Sequence, residues 1–300
     1  MTRSVVTGAA GFIGSNLVDY LVEQGHTVVC IDNESSDAHD SPHWSDSKST
    51  FNIRGDIRDH QFMRNCMTGV DYVFHLAAEA RIQPSIKNPI NAVSVNDLGT
   101  ATILQCARES NVKRLVFSST SAIYGTNQSP NVETQNPEPL NPYSVTKLNG
   151  ENLCTMYNDL FGLKTTILRY FNVFGPRQPV RGQYAPVIGI FNRQKLNGEP
   201  LTIVGDGSQR RDFVYVKDVA RANYLAAISE HPLTEVYNVG TGKNYSVKEI
   251  AGAISNSHTN IPEREGEMQL TLANIDKIEN HLGWKPEVDV MDWILGELYG

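Results

Sequence analysis

Thr7-Gly8-Ala9-Ala10-Gly11-Phe12-Ile13-Gly14 decides the fold. A short apolar run at 4–7 precedes the stretch. A helical pattern over 12–24 follows it, carried by Phe12, Ile13, Leu17, Leu21 and Val22. The glycines stand at 8, 11 and 14, a GxxGxxG spacing. Glycine permits a tight turn and close approach of another backbone, and a helix N-terminus offers free N–H groups to a pyrophosphate. A glycine-rich turn without a ligand is the alternative, because such a motif alone is weak evidence. The strand before and the helix after favour a dinucleotide site on Gly8, Gly11, Phe12, Ile13 and Gly14.

Outward from this motif, strand and helix signals alternate. Buried-strand runs fall at 26–31, 50–53, 70–76, 114–118 and 165–170, and helical patterns at 58–67, 91–109 and 143–161. Strands separated by helices of this length predict right-handed βαβ units and a parallel sheet covered on both faces. After Asn172 the pattern breaks at Gly175, Pro176, Pro179, Gly182 and Pro186. Helices are then expected over 187–196, 218–230, 247–255 and 275–282, with strands at 201–204 and 236–239. The predicted architecture is α/β: a Rossmann-type doubly wound sheet with a smaller C-terminal substrate domain. Residues 1–172 form the first domain, to which about 213–240 return. Residues 173–212 and 241–300 form the second.

The 300 residues carry 33 acidic and 26 basic side chains, a net charge of −7. That balance argues against a nucleic-acid partner, which needs a basic surface. No apolar run approaches the roughly 20 residues of a membrane span, and the first residues lack a signal-peptide layout. Cys30, Cys66, Cys106 and Cys154 have no metal-type spacing and read as reduced thiols. A cytoplasmic protein with no membrane partner and no metal is expected.

Asp32 ends the second strand, 18 residues beyond Gly14, where a carboxylate takes the adenosine ribose hydroxyls. Its charge repels a 2′-phosphate. Asn33-Glu34-Ser35-Ser36 supplies no arginine, so NAD is expected over NADP. Asp56-Ile57 follows the third strand and would hold the adenine; alternatively, Asp56 would cap the next helix. Tyr143-Ser144-Val145-Thr146-Lys147 is a YxxxK spacing that puts both side chains on one helix face, after a helix start at Asn141-Pro142. A lysine there would lower the phenol's pKa. The spacing gains weight from Phe117-Ser118-Ser119-Thr120-Ser121, at the carboxyl edge of a strand, where ligands of such sheets bind.

Taken together, the chain resembles the extended short-chain dehydrogenase/reductase family and, within it, the nucleotide-sugar 4-epimerases. The resemblance spans nearly the whole chain. Its marks are TGAAGFIG at 7–14, Asp32, Gly55-Asp56-Ile57, His75-Leu76-Ala77-Ala78, Asn96 with Gly99-Thr100, Ser118-Ser119-Thr120 and Tyr143 with Lys147. Further on come Arg169-Tyr170-Phe171-Asn172, Gly205-Asp206-Gly207, Arg211-Asp212-Phe213 and Arg264-Glu265-Gly266.

The resemblance implies that Tyr143 takes the proton of the sugar 4-hydroxyl. Lys147 would hold the nicotinamide ribose, and Thr120 would bond the same hydroxyl. Asn33, Leu76, Ala77, Ala78, Asn96, Ser118, Tyr170 and Phe171 would follow the cofactor. Asn172 would hold the substrate, and Leu201 and Ile203 would pack along its base. Arg211 and Arg264 would clamp the diphosphate, a task suited to guanidinium forks. C4 would give a hydride to NAD, the keto sugar would turn over, and the hydride would return to the other face.

Related 4,6-dehydratases carry an Asp-Glu pair, and related decarboxylases a glutamate, where this chain has Ser121-Ala122. Simple C4 inversion loses no expected residue. Thr271, at the family's gate position, is small and implies tolerance of N-acetyl sugars beside UDP-glucose and UDP-galactose. Arg81 and Arg181 leave a UDP-glucuronate substrate open. A keto-sugar reductase is a weaker alternative, as is a non-catalytic NAD-binding regulator. The resemblance also implies a homodimer through helices 91–109 and 143–161. The polar stretch 33–49 has no functional reading.

Overall fold

The computed structural model describes residues 2–35, 41–181, 185–230, 234–263 and 268–298. The first half runs β1 (Arg3–Thr7), α1 (Phe12–Glu23), β2 (Thr27–Asp32), β3 (Thr50–Arg54), α2 (His60–Cys66), β4 (Tyr72–His75), α3 (Ile82–Lys87) and α4 (Pro89–Val93). It continues through α5 (Gly99–Glu109), β5 (Arg114–Thr120), α6 (Pro142–Phe161), β6 (Thr165–Tyr170) and β7 (Asn172–Phe174). Then come α7 (Val187–Leu196), β8 (Leu201–Val204), β9 (Arg210–Arg211), β10 (Phe213–Tyr215), α8 (Val216–Ile228) and β11 (Glu235–Val239). The chain ends with β12 (Tyr245–Ser246), α9 (Val247–Ile254), β13 (His258–Ile261), α10 (Asp276–Leu282) and α11 (Val290–Trp293).

Seven parallel strands form one sheet in the order β11-β6-β5-β4-β1-β2-β3. The order reverses between β4 and β1, so a crevice opens at their carboxyl ends. Apolar side chains cover both faces. Leu17 and Leu21 of α1, Val219 and Ala226 of α8 and Ile278 of α10 pack on one. Met63 of α2, Ile103 and Leu104 of α5 and Cys154 of α6 pack on the other. A third cluster, around Phe174, Phe191 and Trp293, holds α7, α9 and α11 against β8 and β10. Among the described residues, no helix is long and apolar enough to cross a membrane.

The helix expected over 91–109 is interrupted. Ser94–Leu98 forms a π-helical turn between α4 and α5. That wide turn carries Asn96, whose Nδ2 donates to Glu79 O and Thr146 Oγ1, and whose Oδ1 accepts from Glu79 N. A local side-chain demand of this kind is a common origin of π bulges near functional sites. The helix expected over 58–67 starts at His60 and is capped by Asp59, not Asp56; Asp59 Oδ1 accepts from Phe62 N at 3.0 Å. Asp56 is therefore left to other partners.

Behind β5 and β6 lies a buried polar chain. Arg169 donates to Glu151 through Nε at 3.0 Å and Nη2 at 2.7 Å, and Ser119 Oγ donates to the same carboxylate. Arg169 Nη1 reaches Tyr124 Oη at 2.9 Å, and Tyr124 donates to Asn238 Oδ1 on β11. Removing one partner of a buried pair strands the other charge, at a cost of about 3–5 kcal/mol. Arg169→Met is expected to lose that amount in urea unfolding, and Arg169→Met with Glu151→Leu to recover most of it. Equal stability of the single variant and the wild type would show the pair to be dispensable.

Candidate active site

A cavity of about 940 Å³ runs along the carboxyl ends of β1, β2, β4 and β5 and continues to β7, β8 and α7. The glycine turn forms its floor. Gly8 has a φ of +71°, and a Cβ there would stand 2.8 Å from Ala77 N. At Gly14 a Cβ would stand 2.0 Å from Gly8 O, so α1 lies against the turn with no room for a methyl. α1 starts at Gly11 without a side-chain cap and without an acidic residue in its first turn. Its backbone N–H groups thus suit an anion. Gly8, Gly11, Phe12, Ile13 and Gly14 all line the cavity.

Asp32 closes the next part of the wall with Asn33. Its Oδ2 accepts from Ala10 N at 3.1 Å and its Oδ1 from Glu34 N at 2.8 Å. Each oxygen keeps lone-pair capacity for a hydroxyl donor. Asp56 and Ile57 line the same end, joined by Arg58, which the sequence reading missed. Arg58 donates from Nε and Nη2 to Asp56 and from Nη1 to Ser94 Oγ. The Arg58 bonds hold the Asp56 carboxyl below its ordinary value despite burial. This arginine is committed to a neighbour rather than set out for a 2′-phosphate, and the Asp32 carboxylate stands nearby. The glycine cradle and acidic wall fit a dinucleotide such as NAD.

Leu76, Ala77 and Ala78 line the cavity through the loop after β4. Asn96 does not reach the wall. It is buried, and its amide is used in clamping Glu79 and Thr146, so it shapes the loop from behind. His75 also serves the loop from below, bonded at Nδ1 to Thr7 Oγ1 (2.8 Å) and at Nε2 to Thr100 Oγ1 (3.0 Å). Burial lowers its pKa to about 3, so the ring is neutral.

Thr120, Tyr143 and Lys147 meet at the centre of the cavity wall. Asn141 caps α6 with a reciprocal bond to Ser144, and Pro142 starts it, so Tyr143 falls in the first turn and Lys147 one turn later. The Thr120 hydroxyl faces the Tyr143 phenol and counters the effect of its burial. Lys147 Nζ donates to Ser118 O at 2.8 Å and lies 5.0 Å from the Phe117 ring centroid. Burial pushes the Lys147 amine down to about 8. Tyr143 departs from the expected lowering. Burial raises its phenol above the ordinary value, with the Thr120 hydroxyl opposing. Ser118 and Tyr170 bond each other at 2.9 Å on this wall, and Phe171 adjoins them.

On the far wall the strand alternation corrects one expectation. Leu201 and Ile203 turn into the core, while Thr202 and Val204 line the cavity, because successive residues of β8 face opposite ways. Asn172 lines the cavity, and its Nδ2 donates to Asp212 O (3.0 Å) and Thr271 Oγ1 (3.2 Å). Thr271 is buried behind Asn172 and is absent from the cavity wall among the described residues. Arg211 lines the wall, with Nη1 on Arg210 O at 3.0 Å. Arg264 lies outside the described residues. Arg81 lines the cavity with Glu79; Arg181 does not. Among the described residues, no group of three or more metal-ligating side chains exists. Met268, Gln178 and the α7 residues Val187 to Phe191 also contribute wall that the sequence reading missed.

The model of the NAD dependent epimerase/dehydratase family matches residues 4–240. A UDP-glucose 4-epimerase of Mycolicibacterium smegmatis is 34% identical over 307 residues, covering 97% of this chain and 96% of that protein. The structure of a UDP-N-acetylglucosamine 4-epimerase from Methanobrevibacter ruminantium M1, in complex with UDP-N-acetylmuramic acid, superposes with a TM-score of 0.92. It is 35% identical and covers 99% of this chain and 97% of its own. A UDP-glucose 4-epimerase from Thermotoga maritima, solved with UDP-glucose, gives a TM-score of 0.91 at 36% identity, over 99% of this chain and 97% of its own.

Two measurements check the site. Gly14→Ala is expected to abolish nucleotide retention through purification, read from absorbance after denaturation; full retention would show that α1 can retreat. Lys147→Met is expected to stabilise the nucleotide-stripped fold at pH 7, where the wild type buries a charge. A lysine depressed from 10.5 to about 8 sheds its proton first in the folded state. Wild-type stability therefore rises above pH 8, and the variant's advantage shrinks. A pH-independent difference between the two unfolding curves contradicts this.

Proposed function

Given that the chain belongs to the NAD-dependent epimerase/dehydratase family, we propose that it inverts C4 of a UDP-hexose, UDP-glucose or UDP-galactose and also their 2-acetamido counterparts. The observation that carries this reading is the Thr120–Tyr143–Lys147 cluster on a cavity wall without an added acid–base pair. After Thr120 the chain places Ser121 and Ala122 on the wall. The acidic residues among the described cavity-lining side chains are Asp32, Asp56 and Glu79. The first two belong to the cofactor end.

NAD, when bound, supplies the hydride acceptor and donor for C4 and a cationic ring that favours the phenolate. Gly8 to Gly14, Asp32, Asp56 and the loop at 76–78 would hold it. Tyr143 takes the proton of the 4-hydroxyl and returns it after the sugar has turned. Thr120 orients that hydroxyl. Lys147, desolvated and fixed on Ser118 O, keeps the positive charge of its ammonium close to the reacting end. Arg211 and Asn172 hold the nucleotide side of the substrate, and residues 173–212 and 241–300 form the lobe that grips it, except that α10 and Trp284 pack on the large sheet instead. Thr271, buried behind Asn172, puts no large side chain on the wall. Arg81 on the wall favours UDP-glucuronate as the second substrate to try.

The chain is assigned to the cytoplasm, consistent with its four free thiols. It is assigned as a homodimer through residues 91–109 and 143–161. In support, Val93 is 49%, Leu98 55% and Val145 41% exposed on these segments. The substitutions Leu98→Glu and Val145→Glu together are expected to halve the mass seen by light scattering; a monomeric wild type removes the assignment.

Proton NMR of the anomeric region tests the reaction. Incubation with UDP-galactose, UDP-N-acetylgalactosamine or UDP-galacturonate is expected to yield the C4 epimer of at least the first two. Tyr143→Phe should retain its nucleotide and lose about 10²–10⁴-fold in turnover. No conversion of any of the three by NAD-loaded wild type contradicts the proposal.

A further inference from the structure

Gln178 sits on the turn that follows β7, its backbone N–H donating to Gly175 O at 3.3 Å. The turn is fastened on both sides. Asn16 Nδ2 of α1 donates to Pro176 O at 3.1 Å, and Arg177 pairs with Asp19. On the other flank, Gly189 of α7 lies so close that a Cβ would stand 2.2 Å from Pro179 O. Gln178 is thus held in place, 8% exposed, on the cavity wall. Its Oε1 is sealed from solvent and has no hydrogen-bond partner among the described residues. Buried amides of folded proteins are nearly always paired, and an unpaired one weakens the fold that keeps it. Because Gln178 lines the cavity, a bound molecule is the group that can satisfy it.

We propose that Gln178 reads the sugar of the nucleotide substrate, pairing its carboxamide with a ring hydroxyl or an acylamino substituent. This rests on the UDP-sugar reading of the cleft. A diphosphate offers only acceptors and would leave Oε1 unpaired. A hydroxyl or acylamino group offers donor and acceptor together. The cavity-lining neighbours of Gln178 along the chain, Asn172 to Phe174 before it and Ala185 to Ile188 after it, belong to the wall assigned to the substrate. Turning the amide over exchanges its donor and acceptor ends. That versatility suits a sugar that must present both faces of its ring to the same wall.

The experiment compares NAD-loaded wild type with Gln178→Met, which keeps the volume and removes the polar atoms. Calorimetric titration with UDP-glucose, UDP-N-acetylglucosamine, UDP-glucuronate and UDP alone gives the affinities. Thermal unfolding without these ligands gives the stability. The variant is expected to bind at least one UDP-sugar about tenfold more weakly and UDP equally well. Its melting temperature should be unchanged or higher. Unchanged sugar affinity overturns the inference, as does equal weakening toward UDP, which places the contact on the nucleotide. Loss of NAD with sugar affinity intact places it on the cofactor and also overturns it. A variant that fails to fold shows the amide to be structural and likewise overturns it. Wild type that binds none of the UDP-sugars removes the epimerase reading and this inference with it. Wild type that binds them only as tightly as the variant removes the inference alone.

Discussion

The carbonyl oxygen of Gly8 stands 2.0 Å from where a Cβ of residue 14 would be, and that exclusion sets how deeply α1 lies against β1. The depth brings the N-terminus of α1 level with the ends of β1 and β4. It also lets Gly8 approach the Ala77 backbone. Thr7 then bonds both Ala77 N and His75, and His75 passes the contact to Thr100 on α5. Asn96 holds the loop after β4 from its other end. The floor that suits a pyrophosphate and the loop after β4 are therefore one mechanical unit. The space denied to one methyl determines both.

Around this unit the fold accepts unfavourable burial in order to hold chemical groups in a dry place. The Lys147 amine and the Tyr143 phenol are both shifted toward their neutral forms by desolvation. Low local polarizability makes each remaining electrostatic contact stronger. Glu151, fixed by Arg169 and Ser119, lies one turn beyond Lys147 and favours its charged form. The strand carrying Ser118 and Thr120 is thereby tied to α6 at two successive residues. Lys147 takes the Ser118 carbonyl, and Glu151 takes the Ser119 hydroxyl.

Periodicity and spacing made the sheet, the glycine turn and the Tyr143–Lys147 pair legible, because each follows from local chain geometry, whereas Thr120 was singled out by the family resemblance. Asn96 was legible as a marked residue but not in its position. Its amide acts on Glu79 and Thr146, which are distant in sequence. Leu201 and Ile203 were assigned to the substrate by the family resemblance. Their neighbours Thr202 and Val204 hold the cavity face, which strict attention to strand alternation would have found. Arg58 and Gln178 carry no local signal at all. One is defined by its pairing with Asp56 across two residues and with Ser94 across the fold. The other is defined by what it lacks. The expected effect of Lys147 on Tyr143 failed for a different reason. Spacing fixes the distance between groups and says nothing about how far water has been removed from them.

Asp212 shows what the order of segments along the chain does to the molecule. The chain leaves the large sheet after β6, comes back through β10 and α8 to lay down β11, and leaves again at Thr241. The Asp212 carboxylate accepts from Thr241 N, Gly242 N and Ala273 N, and its carbonyl accepts from Asn172 N. The segments at Asn172, Thr241 and Ala273 are thus joined at one residue. A protease or a stop codon placed after Asn172 would not release a working nucleotide-binding half. The fragment would lack its edge strand, the cover of α8 and Asp212 itself.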